Sequence, residues 1–129
     1  MARFSVIYDA NVLVPAPARD LLLRVAEDGL VRAHMSTDIL DEVVRAVGAQ
    51  AIVTLNLEDF PRDKLSKFDL EVLHPDDFIS DLVDLHPIRI ARLVEAHARA
   101  SKRPPKSYDQ VLDALARTLP ESVGRLRDS

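Results

Sequence analysis

The chain has 129 residues, of which 47% are hydrophobic, and this suits one domain with a small helical appendage. It contains no cysteine, which excludes disulfide frameworks, zinc–thiolate sites and cysteine nucleophiles. The net charge of −4 offers no basic footprint for nucleic acid, but a bound metal can reverse the field of an acidic site, so a nuclease is not excluded.

Short apolar runs alternate with segments of helical spacing over the first 73 residues. Strands are predicted where β-branched residues are frequent, at residues 4–8, 30–35, 49–55 and 70–73. Helices are predicted between them: one opened by Pro15 and Pro17 and ended by Gly29, one opened by Ser36 or Thr37 and ended by Gly48, and one short turn at residues 61–65. This alternation predicts an α/β fold with a mostly parallel sheet flanked by helices. The first apolar run is too short for a signal peptide or a membrane span, so we expect a soluble cytoplasmic protein with no membrane contact.

The pattern becomes purely helical after His74 and Pro75. One helix is predicted to begin at Asp76 or Asp77, a second covers residues 88–102, a third is capped by Ser107, and Pro120 opens a last short segment. We therefore divide the chain into an α/β domain at residues 1–85 and a helical extension at residues 86–129. The extension is locally basic between residues 88 and 106, which is more typical of a solvated helix face than of an RNA contact.

Asp9 follows the first predicted strand, and Asn11 comes two residues later. In parallel α/β sheets, functional sites lie at the carboxyl ends of the strands. A carboxylate followed by a short amide side chain can hold a divalent cation and fix the loop. The alternative is a structural role, in which Asp9 caps the segment that follows it.

Glu42 lies in the second predicted helix, on a face different from that of Ile39 and Val43. A carboxylate in this position is a candidate for an acidic site. Taken alone, it is more often an ordinary solvated helix residue.

The segment from Thr54 to Phe60 ends the third predicted strand. Thr54 and Asn56 point to the same side at strand spacing, and Asp59 can return to that side through a turn. The alternative is a capped turn in which Phe60 anchors the segment in the core.

These three segments, in this order, resemble the PIN-domain family, most closely its toxin-like members called VapC. The resemblance covers roughly residues 3 to 80. An Asp-x-Asn-x-Leu motif is matched by Asp9, Asn11 and Leu13. A Ser-x-x-x-Leu-x-Glu motif is matched by Ser36, Leu40 and Glu42. The most specific signature, Gly-Ala-x-x-Ile-Val-Thr-x-Asn-x-x-Asp-Phe, is matched by Gly48, Ala49, Ile52, Val53, Thr54, Asn56, Asp59 and Phe60.

The resemblance implies an endoribonuclease that binds Mg²⁺ or Mn²⁺ through clustered carboxylates and cleaves RNA, plausibly as the toxin partner of an antitoxin protein. Carried over by position, the metal ligands are Asp9, Glu42 and Asp59, and Asn56 belongs to the catalytic set. Asn11 and Thr54 would orient their neighbours.

The match breaks between Glu42 and Gly48, which are separated by only five residues. A full PIN domain has further helices, another strand and a third acidic residue there, so the first domain resembles a PIN domain with an internal deletion. Glu58, Asp63 or a partner chain's carboxylate are candidates to replace the missing acid. Three interpretations stay open: a ribonuclease, an inactive PIN-derived oligomeric or RNA-binding protein, or a plain α/β scaffold whose acids merely cap turns. The gap would expose apolar surface, so we predict a homodimer or higher oligomer, with domain swapping as one route.

Overall fold

The computed structural model describes residues 4–37, 41–60 and 70–129. Its sheet has four strands, β1 (Phe4–Asp9), β2 (Val31–Ser36), β3 (Ala51–Val53) and β4 (Glu71–Leu73). The strands lie in the order β2-β1-β3-β4 and all pair in parallel. The predicted α/β class with a parallel sheet flanked by helices is therefore confirmed.

Six helices are described: α1 (Ala16–Glu27), α2 (Asp41–Val47), α3 (Pro75–Leu85), α4 (Pro87–Ala100), α5 (Tyr108–Leu115) and α6 (Pro120–Asp128). Proline stands in the first turn of α1, α3, α4 and α6, where the missing N–H costs nothing and the fixed φ suits a helix start. Two short 3-10 helices follow β1 and β3, at Ala10–Leu13 and Leu57–Asp59. Within the described residues, no helix is both long enough and apolar enough to cross a membrane.

The two faces of the sheet are covered differently, because successive residues of a strand point to opposite sides. On one face, Val6 and Tyr8 of β1 belong to a large buried cluster that includes residues of α1 and of all four C-terminal helices. On the other face, Ile7 and Ile52 pack against Val44 of α2 in a smaller cluster. The C-terminal helices thus share a core with the sheet, while the division at residue 85 remains a prediction.

The connection from α2 to β3, where the resemblance to PIN domains predicts an internal deletion, is an ordinary helix end. Gly48 has φ +66° and donates its N–H to the carbonyl of Val44 at 3.1 Å, and Ala49 donates to the same carbonyl at 3.3 Å. A left-handed glycine is the usual way to end a helix. In the described part of the chain no strand pairs with the outer edge of β2.

Several predicted boundaries move by a few residues. The helix expected to begin at Asp76 or Asp77 begins at Pro75, because the ring nitrogen Nδ1 of His74 accepts the N–H of Asp76 at 3.0 Å and caps it. Ser107 caps α5 as predicted, in a reciprocal capping box with Gln110. The helical turn predicted at residues 61–65 lies outside the described residues.

Candidate functional site

Asp9 is the last residue of β1 and lies at the carboxyl edge of the sheet. Its neighbour across β2 is Ser36, which is likewise the last residue of its strand. On the other side, Tyr8 pairs with Val53, so that Thr54 continues from β3 beside Asp9. The parallel register therefore brings together residues that are 45 positions apart in the sequence.

Thr54 and Asn11 hold the carboxylate of Asp9 from two sides. The hydroxyl of Thr54, a fully buried residue, donates to Oδ2 of Asp9 at 2.9 Å. Asn11 donates its Nδ2 to the same oxygen at 3.3 Å and to Oγ1 of Thr54 at 3.2 Å. The three side chains form a closed triangle, which fixes the position of the acid.

Backbone groups orient the two supporting side chains in turn. The N–H of Leu55 donates to Oδ1 of Asn11 at 3.1 Å, which decides which end of the amide faces Asp9. The N–H of Asn56 donates to Oγ1 of Thr54 at 3.1 Å, which directs the hydroxyl hydrogen of Thr54 to the carboxylate. Hydrogen-bonded supporting residues of this kind are what hold an acidic ligand in a fixed orientation.

One feature of the hydrogen bonds to Asp9 is compatible with the binding of a divalent cation by its carboxylate. Both end on Oδ2, so the second carboxylate oxygen, Oδ1, lies outside the triangle. Mg²⁺ is commonly held by one or two carboxylates, with water and substrate phosphates completing its shell. Within residues 4–37, 41–60 and 70–129, however, no three His, Asp or Glu side chains form a group that could hold a metal ion.

The other predicted site residues lie on exposed parts of the chain. Glu42 is exposed in the first turn of α2. Asn56 and Asp59 are exposed at the two ends of the short helix after β3, where the N–H of Asp59 donates to the carbonyl of Asn56 at 3.1 Å. In the described part of the chain, side-chain hydrogen bonds join Asp9, Asn11 and Thr54. The side chains of Glu42, Asn56 and Asp59 take no part in these bonds.

Thr54 and Asn56 differ in exposure, although strand spacing predicted a shared side. β3 ends at Val53, two residues earlier than predicted, so the alternation of sides does not continue to Asn56. Phe60 is half-buried and packs against the cluster around Ile52, as the anchoring alternative proposed. Glu58 is exposed, and Asp63, the other candidate to replace the missing acid, lies outside the described residues.

A second group of polar residues, which includes His97, was not predicted from the sequence. Nδ1 of His97 lies 3.1 Å from Oδ2 of Asp20, but this buried nitrogen forms no hydrogen bond with Asp20 or any other described residue. Burial lowers the pKa of His97 below the ordinary histidine value; Asp20 opposes the shift, while Arg24 and Lys106 add to it. Contacts between residues so far apart in the chain do not produce a local sequence pattern.

The C-terminal part of the chain matches the model of a known protein family. Residues 75–128 match the family model described as the VapC50 C-terminal domain, and these bounds coincide with the start of α3 and the end of α6. Over 79 residues, 61% of the chain, the sequence is 35% identical to the Mycobacterium tuberculosis (strain H37Rv) protein named "Putative ribonuclease VapC50".

The aligned region is 47% of that protein, so the chain spans about half the length of the curated relative it matches. No solved structure matches the chain. The match of α3 to α6 and the 35% identity show that the chain is similar to VapC50 over part of its length.

Proposed function

We propose that this protein is a PIN-type endoribonuclease that uses Mg²⁺ or Mn²⁺ to hydrolyse RNA phosphodiester bonds, as the toxin of a toxin–antitoxin pair. The observation that carries the proposal is the triangle at the carboxyl edge of the sheet. There Thr54 and Asn11 hold one oxygen of Asp9 and leave the other outside their hydrogen bonds. The printed name of the relative, a ribonuclease, supports the same activity.

In this proposal Asp9 is the metal ligand that the geometry supports best, and Glu42 and Asp59 join it by their position in the family motif. A bound Mg²⁺ or Mn²⁺ supplies acidification of a water molecule and neutralisation of charge on the leaving oxygen. Thr54 and Asn11 keep the carboxylate of Asp9 in place, so that it need not reorganise when the phosphate arrives. Asn56 is exposed next to Thr54 in the chain, and in this proposal it would contact the RNA.

An inactive PIN-derived protein is the second candidate. Two observations favour it: only five residues separate Glu42 from Gly48, and the described residues contain no group of three potential metal ligands. Such a protein would persist as an oligomer or as an RNA-binding module. It would bind RNA but leave its phosphodiester bonds intact.

Cleavage of single-stranded RNA in Mn²⁺ separates the two candidates. We expect cleavage by the wild type and none by Asp9→Asn, which keeps the shape of the side chain but removes its charge. Glu27→Gln is the matched control, since Glu27 is an exposed acid at the far end of α1 from the site. No cleavage by the wild type would refute the enzyme proposal.

Metal binding is measured separately by calorimetry and by the melting temperature with and without Mn²⁺. A ligand that binds only the folded state raises its stability, so the wild type and Glu27→Gln should melt higher in Mn²⁺. The rise should vanish in Asp9→Asn. An equal rise in all three proteins would show that the metal binds elsewhere.

We also propose that the chain assembles as a homodimer or higher oligomer, with domain swapping as one route, and that an antitoxin protein binds it. No described strand pairs with the outer side of β2 at residues 31–35, and this supports assembly, because an open strand edge can pair with another chain. The proposed division is a truncated PIN domain at residues 1–85 and a helical extension at residues 86–129. Light scattering after size exclusion tests the oligomer, and a clean monomer would refute it.

A further inference from the structure

A cleft of about 250 Å³ lies where three helices meet. One wall is the first half of α1, with Ala16, Pro17 and Leu23. The other walls are the last turn of α4 and the side of α5, together with the loop between them. The PIN-like part and the C-terminal helices therefore build this cleft jointly.

Two cations of the cleft have no ion-pair partner among the described residues. Arg19 of α1 and Lys106 of the α4–α5 loop are exposed, and neither forms an ion pair with any residue in the described ranges. Lys102 and Arg103, in the same loop, are likewise without an ion pair there. By contrast, Arg89 is engaged by Asp28 at 2.8 Å.

The carboxylate of Asp20, which lines the cleft, already pairs with Arg24. Asp20 accepts a hydrogen bond from Nε of Arg24 at 2.7 Å, on the same oxygen that faces His97. The carboxylate of Asp20 is thus balanced by Arg24 and does not neutralise Arg19 or Lys106. The cleft keeps a surplus of positive charge although the whole chain is acidic.

His97 also lines the cleft. Its side chain is 18% exposed, but its Nδ1 is buried, faces Asp20 and has no hydrogen-bond partner among the described residues. The positive surface of the cleft therefore comes from Arg19 and Lys106. A small anion seated beside the His97 ring would meet their charge.

The position of α1 connects this cleft with the acidic site. The 3-10 helix Ala10–Leu13 follows Asp9 directly and packs on α1, whose first residue is Ala16. α1 therefore begins at the carboxyl edge of the sheet, and its first turn lines the cleft. A chain of phosphates that reaches Asp9 can continue along this end of α1.

We propose that this cleft is a backbone subsite that binds a phosphate group of single-stranded RNA through Arg19 and Lys106. The inference rests on the proposed function and deepens it. It gives the VapC50-type C-terminal helices a role in holding the substrate. An acidic segment of a protein partner would satisfy the same charges, but the connection of α1 to Asp9 favours the substrate.

The test measures RNA affinity without cleavage. Fluorescence anisotropy of a labelled single-stranded oligouridylate is recorded in EDTA over a series of KCl concentrations. Each lost phosphate contact should flatten the dependence of the logarithm of the binding constant on the logarithm of salt by about 0.7. At about 0.1 M KCl this corresponds to about fivefold weaker binding per contact. We expect a flatter slope and weaker binding of this size for the double variant Arg19→Gln with Lys106→Gln, which removes the contact to one phosphate.

The matched control is Arg92→Gln with Arg117→Gln, which removes two other exposed cations that have no ion pair within the described ranges. A local reporter is the NMR signal of the His97 ring, which should shift on addition of the oligonucleotide in the wild type but not in the cleft variant. The His86 ring, outside the cleft, serves as the internal reference.

Each outcome decides the inference. Equal weakening in both double variants would show unspecific attraction, and no weakening in either, as expected if the cleft binds an acidic protein, would also overturn it. No binding of the oligonucleotide by the wild type does the same. The proposed function fails separately, in the Mn²⁺ cleavage assay: a protein that does not cleave but loses RNA affinity in the cleft variant retains the subsite.

Discussion

The carboxylate of Asp76 accepts the backbone N–H and the hydroxyl of Ser122, at 2.9 Å and 2.7 Å, and so joins the start of α3 to the start of α6. Its second oxygen accepts the N–H of Glu121 at 3.0 Å. The first N–H groups of a helix lack partners within the helix, and here an acid from another helix supplies them. The hydroxyl of Ser80 lies 3.1 Å from that of Ser122 and completes a buried polar cluster.

We predict that Asp76→Ala destabilises the protein by about 2–3 kcal/mol. The change leaves two helix N–H groups and a buried hydroxyl without their charged acceptor, and hydrogen bonds to charged groups contribute about 1.5–3 kcal/mol. Urea unfolding followed by circular dichroism measures the effect.

Asp77→Ala is the control for this prediction, because Asp77 stands next in the same first turn but is exposed. It loses only its interaction with the helix dipole, about 0.5 kcal/mol. If the two substitutions cost the same, the link between α3 and α6 contributes nothing beyond that dipole effect.

Thr54→Val is expected to weaken Mn²⁺ binding about 10-fold to 100-fold, the range seen when a residue that orients a metal ligand is lost. The methyl group that replaces the hydroxyl cannot donate to Asp9 or accept from Asn11 and the N–H of Asn56. Calorimetric titration with Mn²⁺ measures the change.

The conservative variant Thr54→Ser distinguishes positioning of Asp9 from a general loss of structure. It keeps the hydroxyl but creates a small void at a fully buried position, at a cost of about 1 kcal/mol. Thr54→Ser should therefore melt at a lower temperature yet bind Mn²⁺ nearly as well as the wild type. Equally weak binding by both variants would contradict the role given to the hydroxyl.

Much of the fold could be predicted because its signals are local. Apolar runs located the strands, and residues such as Gly29, Gly48 and Ser107 marked helix ends that the structure places within a few positions. Predictions were wrong where the role of a residue depends on a partner that is distant in the sequence. Asp76 looks like a residue that starts its own helix, but its carboxylate caps α6, and no local pattern shows a contact across 46 positions.

The site could be predicted only in part for the same reason. Motif spacing singled out Asp9, Asn11 and Thr54, which the parallel register brings into contact. The cleft around His97 was not predicted, because its residues come from three helices and a loop that meet only in the folded chain.

Two glycine substitutions should have opposite effects on stability. Gly48→Ala forces a side chain into φ +66°, and because a Cβ there meets no described residue within 4 Å, the cost is conformational, about 1–2 kcal/mol. Gly124→Ala lies within α6, where a Cβ also meets nothing, and alanine's helix propensity should add about 0.5–1 kcal/mol. Thermal and urea unfolding of both variants checks the signs. Stabilisation by Gly48→Ala would contradict the described end of α2.

Alkaline pH should destabilise the protein through Tyr8. Burial raises the pKa of Tyr8 far above its ordinary value, and its hydroxyl donates to the carbonyl of Leu22 at 3.0 Å. The folded state therefore keeps this proton when the unfolded chain loses it near pH 10. The stability due to the neutral phenol is complete below about pH 10 and is lost as the pH rises toward the folded pKa.

Tyr8→Phe tests this dependence. At neutral pH the variant should be about 1 kcal/mol less stable, because the hydrogen bond to Leu22 is lost. Above about pH 10 the wild type should lose up to about 1.4 kcal/mol per pH unit from this group, and Tyr8→Phe should lose correspondingly less. Tyr108→Phe is the matched control: burial also raises the pKa of Tyr108, but that ring is only half-buried, so it should change the alkaline slope less. Urea unfolding between pH 8 and about pH 11 gives the slopes. An unchanged slope in Tyr8→Phe would mean that alkaline unfolding has another origin than the buried phenol of β1.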